Sequence, residues 1–481
     1  MNTIMETVRL RHILVMSLFA VLMAGGLLWA TKVLETKWLV ASLAALTLLL
    51  VAVASGQLEK FLLGFFFVMI PMNADINWHP VDVSSGIQEL GISSLNIILF
   101  GLYFLWLVRI VLDRNSTKII WPSGATVLLL FIGWSALSIL NAREPLFSIF
   151  SIVGFLKAFL CFFYIANHIK TRDSLWFAVR CMMVGLIAES LIACAEYVKG
   201  GNLGLYALGE RKIEKEMALS GSKVFRVGGT LGHPNYLGGY LASVLPLALI
   251  LNLTSLRPLQ RLLVTIAIIL GSGVLVLTFS RSAWLATAVT VTGLFGWLVA
   301  RGYIRLRPLP VLIAAVSLGL ILVFFGPAIK ARWVEDDRGS TTSRFAQARV
   351  AGSMIAAHPT LGVGLNNYDA VKQLYETDVY SRLRTSTVNR VHNVFLLVAS
   401  ETGIPSFILF ISFLGVVFRR GWVRLSETYD ERIRLILVGV FFSLLARLGH
   451  DALHTSFLSD NVLLWTYSGF LAAKRSPGEN D

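Results

Sequence analysis

The chain has 481 residues, of which 56% are hydrophobic and only 15% charged, and its mean hydropathy is +0.71. Soluble domains carry about 25% charged residues, so the polar material is too scarce to cover a water-facing surface. Secreted modules, coiled coils, disordered scaffolds and cytosolic enzymes are excluded; a polytopic membrane protein remains. The formal net charge of +14 then points first to basic cytoplasmic connections rather than to nucleic acid. Cys161, Cys181 and Cys194 lie inside apolar runs without zinc or disulfide spacing and are read as small buried hydrophobes.

A helix crosses the hydrocarbon core with about 20 mainly apolar residues. Such runs occur near 12–30, 38–54, 61–72, 95–112, 124–140, 147–168 and 175–197, and again near 236–252, 262–279, 282–300, 309–326, 394–418, 434–449 and 454–472. The run 61–72 is short enough to be re-entrant. The run 12–30 is too long for a signal-peptide core and is read as a span. With the N-terminus inside, the inner connections carry Lys60, Arg114, Lys118, Lys170, Arg172, Arg257, Arg261, Arg301, Arg305 and Arg307, then Arg419 to Arg434 and Lys474. The short outer connections are poor in basic residues. An N-in, C-in all-α bundle of about 12 to 14 transmembrane helices follows.

Two outer connections are long, about 198–235 and about 327–393, and both are basic. Export of long loops is insensitive to charge, so the topology stands, and either a solvated surface or an anion-binding face explains them. Within the second, residues 343–357 have helical spacing and stop at His358-Pro359. The organisation read from this pattern is 1–197 N-terminal helices, 198–326 helices with two Arg motifs, 327–393 a large helical outer loop, 394–472 C-terminal helices and 473–481 a tail.

Polar clusters sit at the outer helix ends. Arg226-Val-Gly-Gly-Thr-Leu-Gly-His-Pro-Asn-Tyr236 leads into a span at Pro234-Asn235, a tight path ending in a helix start. Thr278-Phe-Ser-Arg-Ser-Ala-Trp284 joins two spans with almost no link and fixes Arg281 at membrane-surface depth. Ser343-Arg344 precedes His358-Pro-Thr-Leu-Gly-Val-Gly-Leu-Asn-Asn-Tyr368, whose Gly-x-Gly lacks a dinucleotide fingerprint. Arg390-Val-His-Asn393 opens a span that carries Glu401 two to three turns deeper.

In order and content these clusters resemble the O-antigen ligase and polymerase superfamily, over roughly residues 220–420. The matching pieces are Gly-Thr-x-x-x-Pro-Asn, Ser-Arg-Ser-Ala-Trp, Arg…His-Pro-x-x-Gly-x-Gly and His-Asn-x-x-x…Glu-x-Gly. The resemblance implies a GT-C-like, metal-independent glycosyltransferase facing the periplasm from a bacterial inner membrane, with no cofactor. Its partners would be an undecaprenyl-diphosphate-linked glycan as donor and, as acceptor, another lipid-linked repeat unit, a lipid A core or a protein. Carried over by motif, the catalytic positions are Arg226, Arg281 and His392, and Arg344, Arg390, Asn393, Asn235 and Glu401 are assigned to substrate binding.

The chemistry of the residues agrees. Guanidinium forks suit the oxygens of a lipid diphosphate, and an imidazole suits the acceptor hydroxyl as base, with direct displacement and inversion. Polymerase or exopolysaccharide chemistry is the preferred reading and ligase the alternative. A transporter of the lipid-linked glycan is the rival of another class, although internal repeats are not evident. A zinc site at His450, Asp451 and His454 has the right spacing but lacks a further strong ligand. Finally, Lys157 and Glu189 fall near the midplane of consecutive spans, and a pair between them, direct or through water, is expected, the alternative being that each faces a separate polar pocket.

Overall fold

The computed structural model describes residues 55–72, 74–78, 90–112, 119–211, 216–219, 222–303, 340–375, 390–454 and 458–474, with Thr47 and Val53. The expected spans 12–30, 38–54 and 309–326 and much of the loop 327–393 lie outside the described residues. Gly64–Asp481 form one compact unit.

In chain order the elements begin with α1 (Leu58–Met69), an antiparallel hairpin of β1 (Asp75–Trp78) and β2 (Leu90–Ser93), and α2 (Ser94–Leu112). Then come α3 (Ala125–Leu137) with a 3-10 turn at Ser138–Asn141, α4 (Pro145–His168) and α5 (Arg172–Lys199). A second hairpin, β3 (Glu216–Leu219) and β4 (Ser222–Phe225), precedes α6 (Pro234–Leu253), α7 (Pro258–Leu277) and α8 (Arg281–Ala300). Beyond these lie α9 (Ser340–Ala357), α10 (Tyr368–Val371), α11 (Val394–Glu427), α12 (Glu431–Asp451) and α13 (Val462–Ala472). Among the described residues eight helices are long and apolar enough to cross a membrane: α2, α4 to α8, α11 and α12. The protein is an all-α polytopic membrane bundle.

Local chemistry sets the helix ends. Proline opens α4, α6 and α7, where its missing N–H costs no helical hydrogen bond. Thr171 and Ser174 form a capping box on α5, and Gly200 closes it at φ 66°. Polar caps Asn393, Asp430 and Asn461 start α11, α12 and α13. On α2, Ile97, Phe100, Phe104, Leu107, Val111 and Leu112 point outward, a surface suited to hydrocarbon rather than water.

Helix α6 is the centre. It packs against α7, α8 and α12, and 78% of its apolar window is buried. Small residues allow this approach. A Cβ at Gly238 would sit 2.8 Å from Ala283, one at Gly239 2.7 Å from the His450 ring, and one at Gly439 of α12 2.9 Å from Leu247. Around this core α4 packs on α13 and α3, α5 on α7, α11 on α3, and α9 on α11.

That arrangement corrects the expected Lys157–Glu189 pair. Lys157 Nζ donates to the Gly91 carbonyl at 3.0 Å. The buried Glu189 carboxylate instead accepts from the Thr230 amide (2.9 Å) and hydroxyl (2.6 Å). Sequence adjacency misleads here because α4 and α5 take their main neighbours elsewhere in the bundle. Each charge is compensated by polar groups from a non-consecutive segment.

Helix α11 contains a break. Gly403 adopts φ 83°, ψ 169°, and Pro405 has no N–H to offer. The segment after α9 repairs it. Ile404 N donates to Pro359 O (2.8 Å), and Ser400 O and Glu401 O accept from Val363 N (2.9 Å) and Gly364 N (3.0 Å). A Cβ on Gly403 would overlap the Thr360 carbonyl, and one on Gly362 would overlap the Glu401 backbone. We expect Gly403→Ala to lower the detergent unfolding midpoint by about 5 °C or more. Gly415→Ala on the same helix, where a Cβ meets open space, should leave it nearly unchanged; fluorescence-detected thermal unfolding compares the two.

Candidate functional site

The residues singled out in the sequence lie at one end of the bundle, where α5, α7 and α12 finish and α6, α8 and α11 begin. The first piece is the glycine-rich loop before α6. Two carboxylates of α5 hold it. Glu196 Oε2 accepts from the Gly228 and Gly229 amides at 2.9 and 2.8 Å, and Glu189 takes Thr230 as above. Gly229 has φ 56°, and a Cβ there would overlap the Glu189 carboxylate, so only glycine fits this close approach. The loop so fixed aims Arg226 at the α7–α8 link. Its Nε donates to Thr278 O (2.9 Å) and its Nη2 to Asn235 Oδ1 (3.0 Å). His233 caps α6, its Nδ1 accepting from the Asn235 amide at 3.1 Å.

The second piece is that link. Phe279 turns the chain with φ 49°, and α8 starts only two residues later, as the short sequence link predicts. Arg281 occupies its first turn, three residues beyond the Thr278 carbonyl that Arg226 engages. The same turn presses on α6, since Gly238 leaves space for Ser280 and Ala283.

The third piece is built on the broken turn of α11. Glu401 accepts from the amides of Asn366 (2.9 Å) and Tyr368 (3.2 Å). Arg390 pairs with Asp369 (2.9 Å), donates to Asn366 Oδ1 (2.9 Å) and stands 3.8 Å from Glu401. Asn366 takes φ 58°, a conformation asparagine tolerates better than most residues. Arg390 and Glu401, assigned to substrate from the sequence, are thus engaged in a buried knot that fixes the chain two residues before His392. Asn393, also assigned to substrate, caps α11 by accepting from Leu396 N at 2.9 Å.

His392 meets the first piece through a residue outside the sequence assignment. The His454 ring centroid is 5.8 Å from His392, 6.3 Å from His233, 5.5 Å from Tyr236 and 5.2 Å from His450. Burial, and then the positive charge of Arg344, bring the His392 pKa down to about 4, so this imidazole is neutral at physiological pH. Burial likewise holds His454 well below the usual histidine range, and His450, His392, His233 and Arg447 add to the effect.

The structure therefore joins Arg226, Asn235 and His233 directly. It brings His392 to them through His454, places Arg344 within electrostatic reach of His392, and sets Arg281 on the adjoining turn. Sequence reasoning passed over His233 and Tyr236, which appeared only as neighbours of a helix start, and saw His450 and His454 only as metal ligands. Asp451 is otherwise employed: it takes two contacts from Arg447 (3.0 and 2.8 Å) and one from Asn461 (2.7 Å). Among the described residues no group of three His, Cys, Asp or Glu side chains is arranged to hold a metal.

Residues 238–411 match the family model described as O-antigen ligase. Over this stretch the chain is similar to the O-antigen ligase family, as the order of its motifs leads one to expect. The ligase-family segment contains Arg281, Arg344, Arg390, His392, Asn393 and Glu401, while Arg226 and Asn235 just precede it and His450 and His454 follow it. No curated protein matches the chain significantly.

The titration of His392 is open to test. Removing a neighbouring cation makes the imidazolium easier to form, so Arg344→Gln should raise the His392 pKa above about 4. Rates of carbethoxylation at His392, followed by mass spectrometry across pH, should shift their midpoint upward in the variant. An unchanged midpoint would leave burial as the whole cause.

Proposed function

We propose that the chain is a membrane glycosyltransferase that moves a glycan from undecaprenyl diphosphate to a sugar hydroxyl, with its site facing the periplasm. The observation that carries this reading is a chain of side chains at one bundle end: Arg226 bonds Asn235, Asn235 bonds His233, and His454 stands 6.3 Å from His233 and 5.8 Å from the neutral imidazole of His392, within and beside the segment similar to the O-antigen ligase family. The opposite end supports the orientation. The α4–α5, α6–α7 and α11–α12 connections there carry Lys170, Arg172, Arg257, Arg432 and Arg434, as a cytoplasmic face would.

The leaving diphosphate gains negative charge as the anomeric C–O bond breaks. Arg226 and Arg281 stabilise that charge, and their planar forks match phosphate oxygens. His392 accepts the proton of the attacking hydroxyl. A pKa near 4 leaves it deprotonated before substrate arrives, and an anionic diphosphate nearby raises its basicity when it is needed. Attack opposite the leaving group inverts the anomeric centre. Arg390, Glu401 and Asn393 act by holding His392 and the start of α11. No step calls for a metal ion. The acceptor we favour is a second lipid-linked repeat unit, which makes the reaction a polymerisation; transfer to a lipid A core is the ligase alternative.

Transfer measured in nanodiscs with a lipid-linked donor tests this. Arg281→Ala should abolish product, and Arg281→Lys should restore little, because a lysine loses the bidentate fork. Activity should persist in a chelator. Full activity in the Lys variant, or loss in chelator with recovery on adding magnesium, would overturn the assignment.

A further inference from the structure

Two imidazoles at this site play no part in the mechanism so far. His454 is 5% exposed and His450 is 0% exposed. His454 Nδ1 and His450 Nε2 are buried without a hydrogen-bond partner, and His450 Nδ1 stands 3.7 Å from Asp451 Oδ1. Leaving such groups unpaired is costly, so neither ring is explained as packing alone. Their seat is specific. The His450 ring lies against Gly239, 2.7 Å from where a Cβ would stand, and His454 stacks over it at 27°.

His454 is the hub. Imidazoles joined by a direct N–H···N bond have centroids about 5 Å apart, and an intervening water adds about 2–3 Å. At 5.8 Å from His392 and 6.3 Å from His233, His454 makes no direct bond to either ring and is within one-water reach of both. His233 already accepts the Asn235 amide at Nδ1, which leaves its other nitrogen carrying a proton when the ring is neutral. It cannot take another without breaking that cap. His454 has no such commitment at Nδ1.

We propose that His454 is a positioning residue that acts through His392, holding its ring and sharing the proton that His392 takes from the acceptor hydroxyl. This rests on the glycosyltransferase reading above. In the step, the acceptor O–H bond breaks as the new glycosidic C–O bond forms. The old C–O bond breaks with its electron pair on the diphosphate oxygen, and the proton stays on the imidazole pair until the departing diphosphate or water removes it. The groups facing His454 are His392, His233 and Tyr236, and from α12 His450 and Arg447. Arg447 is paired with Asp451, and Arg344 acts on both His392 and His450. These neighbouring cations disfavour a lasting positive charge on the cluster.

His454→Phe keeps a ring but cannot share a proton; His454→Gln keeps a hydrogen-bonding group. In full-length protein in nanodiscs, the Phe variant should lose about 10- to 100-fold in kcat with KM for the lipid-linked donor nearly unchanged, and the Gln variant should recover part of it. Loss of the sharing partner makes His392 harder to protonate. Its carbethoxylation midpoint and the acidic inflection of kcat/KM should therefore move to lower pH in His454→Phe. Wild-type kcat and inflection in that variant would overturn the proposal, as would an upward shift, which would make His454 only a like-charged neighbour. If the Phe variant fails to fold, the labelling midpoint in His454→Gln decides, an unshifted value refuting the relay. The two readings fail separately. Normal transfer by His392→Ala refutes the glycosyltransferase mechanism, whereas an inactive His392→Ala beside a fully active His454→Phe refutes only the relay.

Discussion

The break in α11 is the constraint on which the site depends. In a membrane bundle an unpaired backbone group has no water to turn to. Gly403 and Pro405 leave the carbonyls of Ser400 and Glu401 and the amide of Ile404 without helical partners. The Pro359–Gly364 segment supplies all three, and it can approach only because Gly362 and Gly403 lack side chains. The loop is thereby stitched to the helix by backbone bonds rather than by surface contacts. Its register then fixes Asn366, Tyr368 and Asp369 opposite Glu401 and Arg390, and so fixes where His392 emerges.

The opposite wall is built on the same logic with different groups. There, carboxylates of α5 reach the amides of a glycine-rich loop, and α6 brings Gly238 and Gly239 against α8 and α12. Both walls use buried acids to satisfy backbone amides, which is an economical way to hold irregular backbone at membrane depth. The arginines divide accordingly. Arg390 and Arg447 pair with Asp369 and Asp451, and Arg226 is oriented by a carbonyl and an amide oxygen.

Much of this was legible in the chain. The apolar runs, the near-absent link before Arg281, the helix starts at Pro234 and Val394 and the helix ending before His358 follow from hydropathy, proline and cap chemistry. The four polar motifs stood in an order that resembles the superfamily, and the family match covers residues 238–411. Less legible was the work each motif does. Glu401 looked like a substrate ligand because a charge in a span reads as functional, and Arg390 because it matched the family motif; their partners in the structure are amides and an aspartate that follow α9. His454 was unreadable as a neighbour of His392, since 62 positions separate them and nothing in spacing links the end of α12 to the start of α11.

By itself, then, the sequence determined what depends on local composition. The chain must enter a membrane, must form helices over the apolar runs, and must break where glycine and proline interrupt them, because each of these follows from groups within a few residues. The tertiary structure alone decided which helices are neighbours. That choice passed Lys157 to a strand carbonyl and Glu189 to the Thr230 loop, although adjacency suggested a pair. It also gathered His233, His392, His450 and His454 from three separate stretches of chain. Pairing across a bundle is settled by which small residues let helices approach and which backbone gaps a distant loop can fill, and both are properties of surfaces that exist only once the chain has folded.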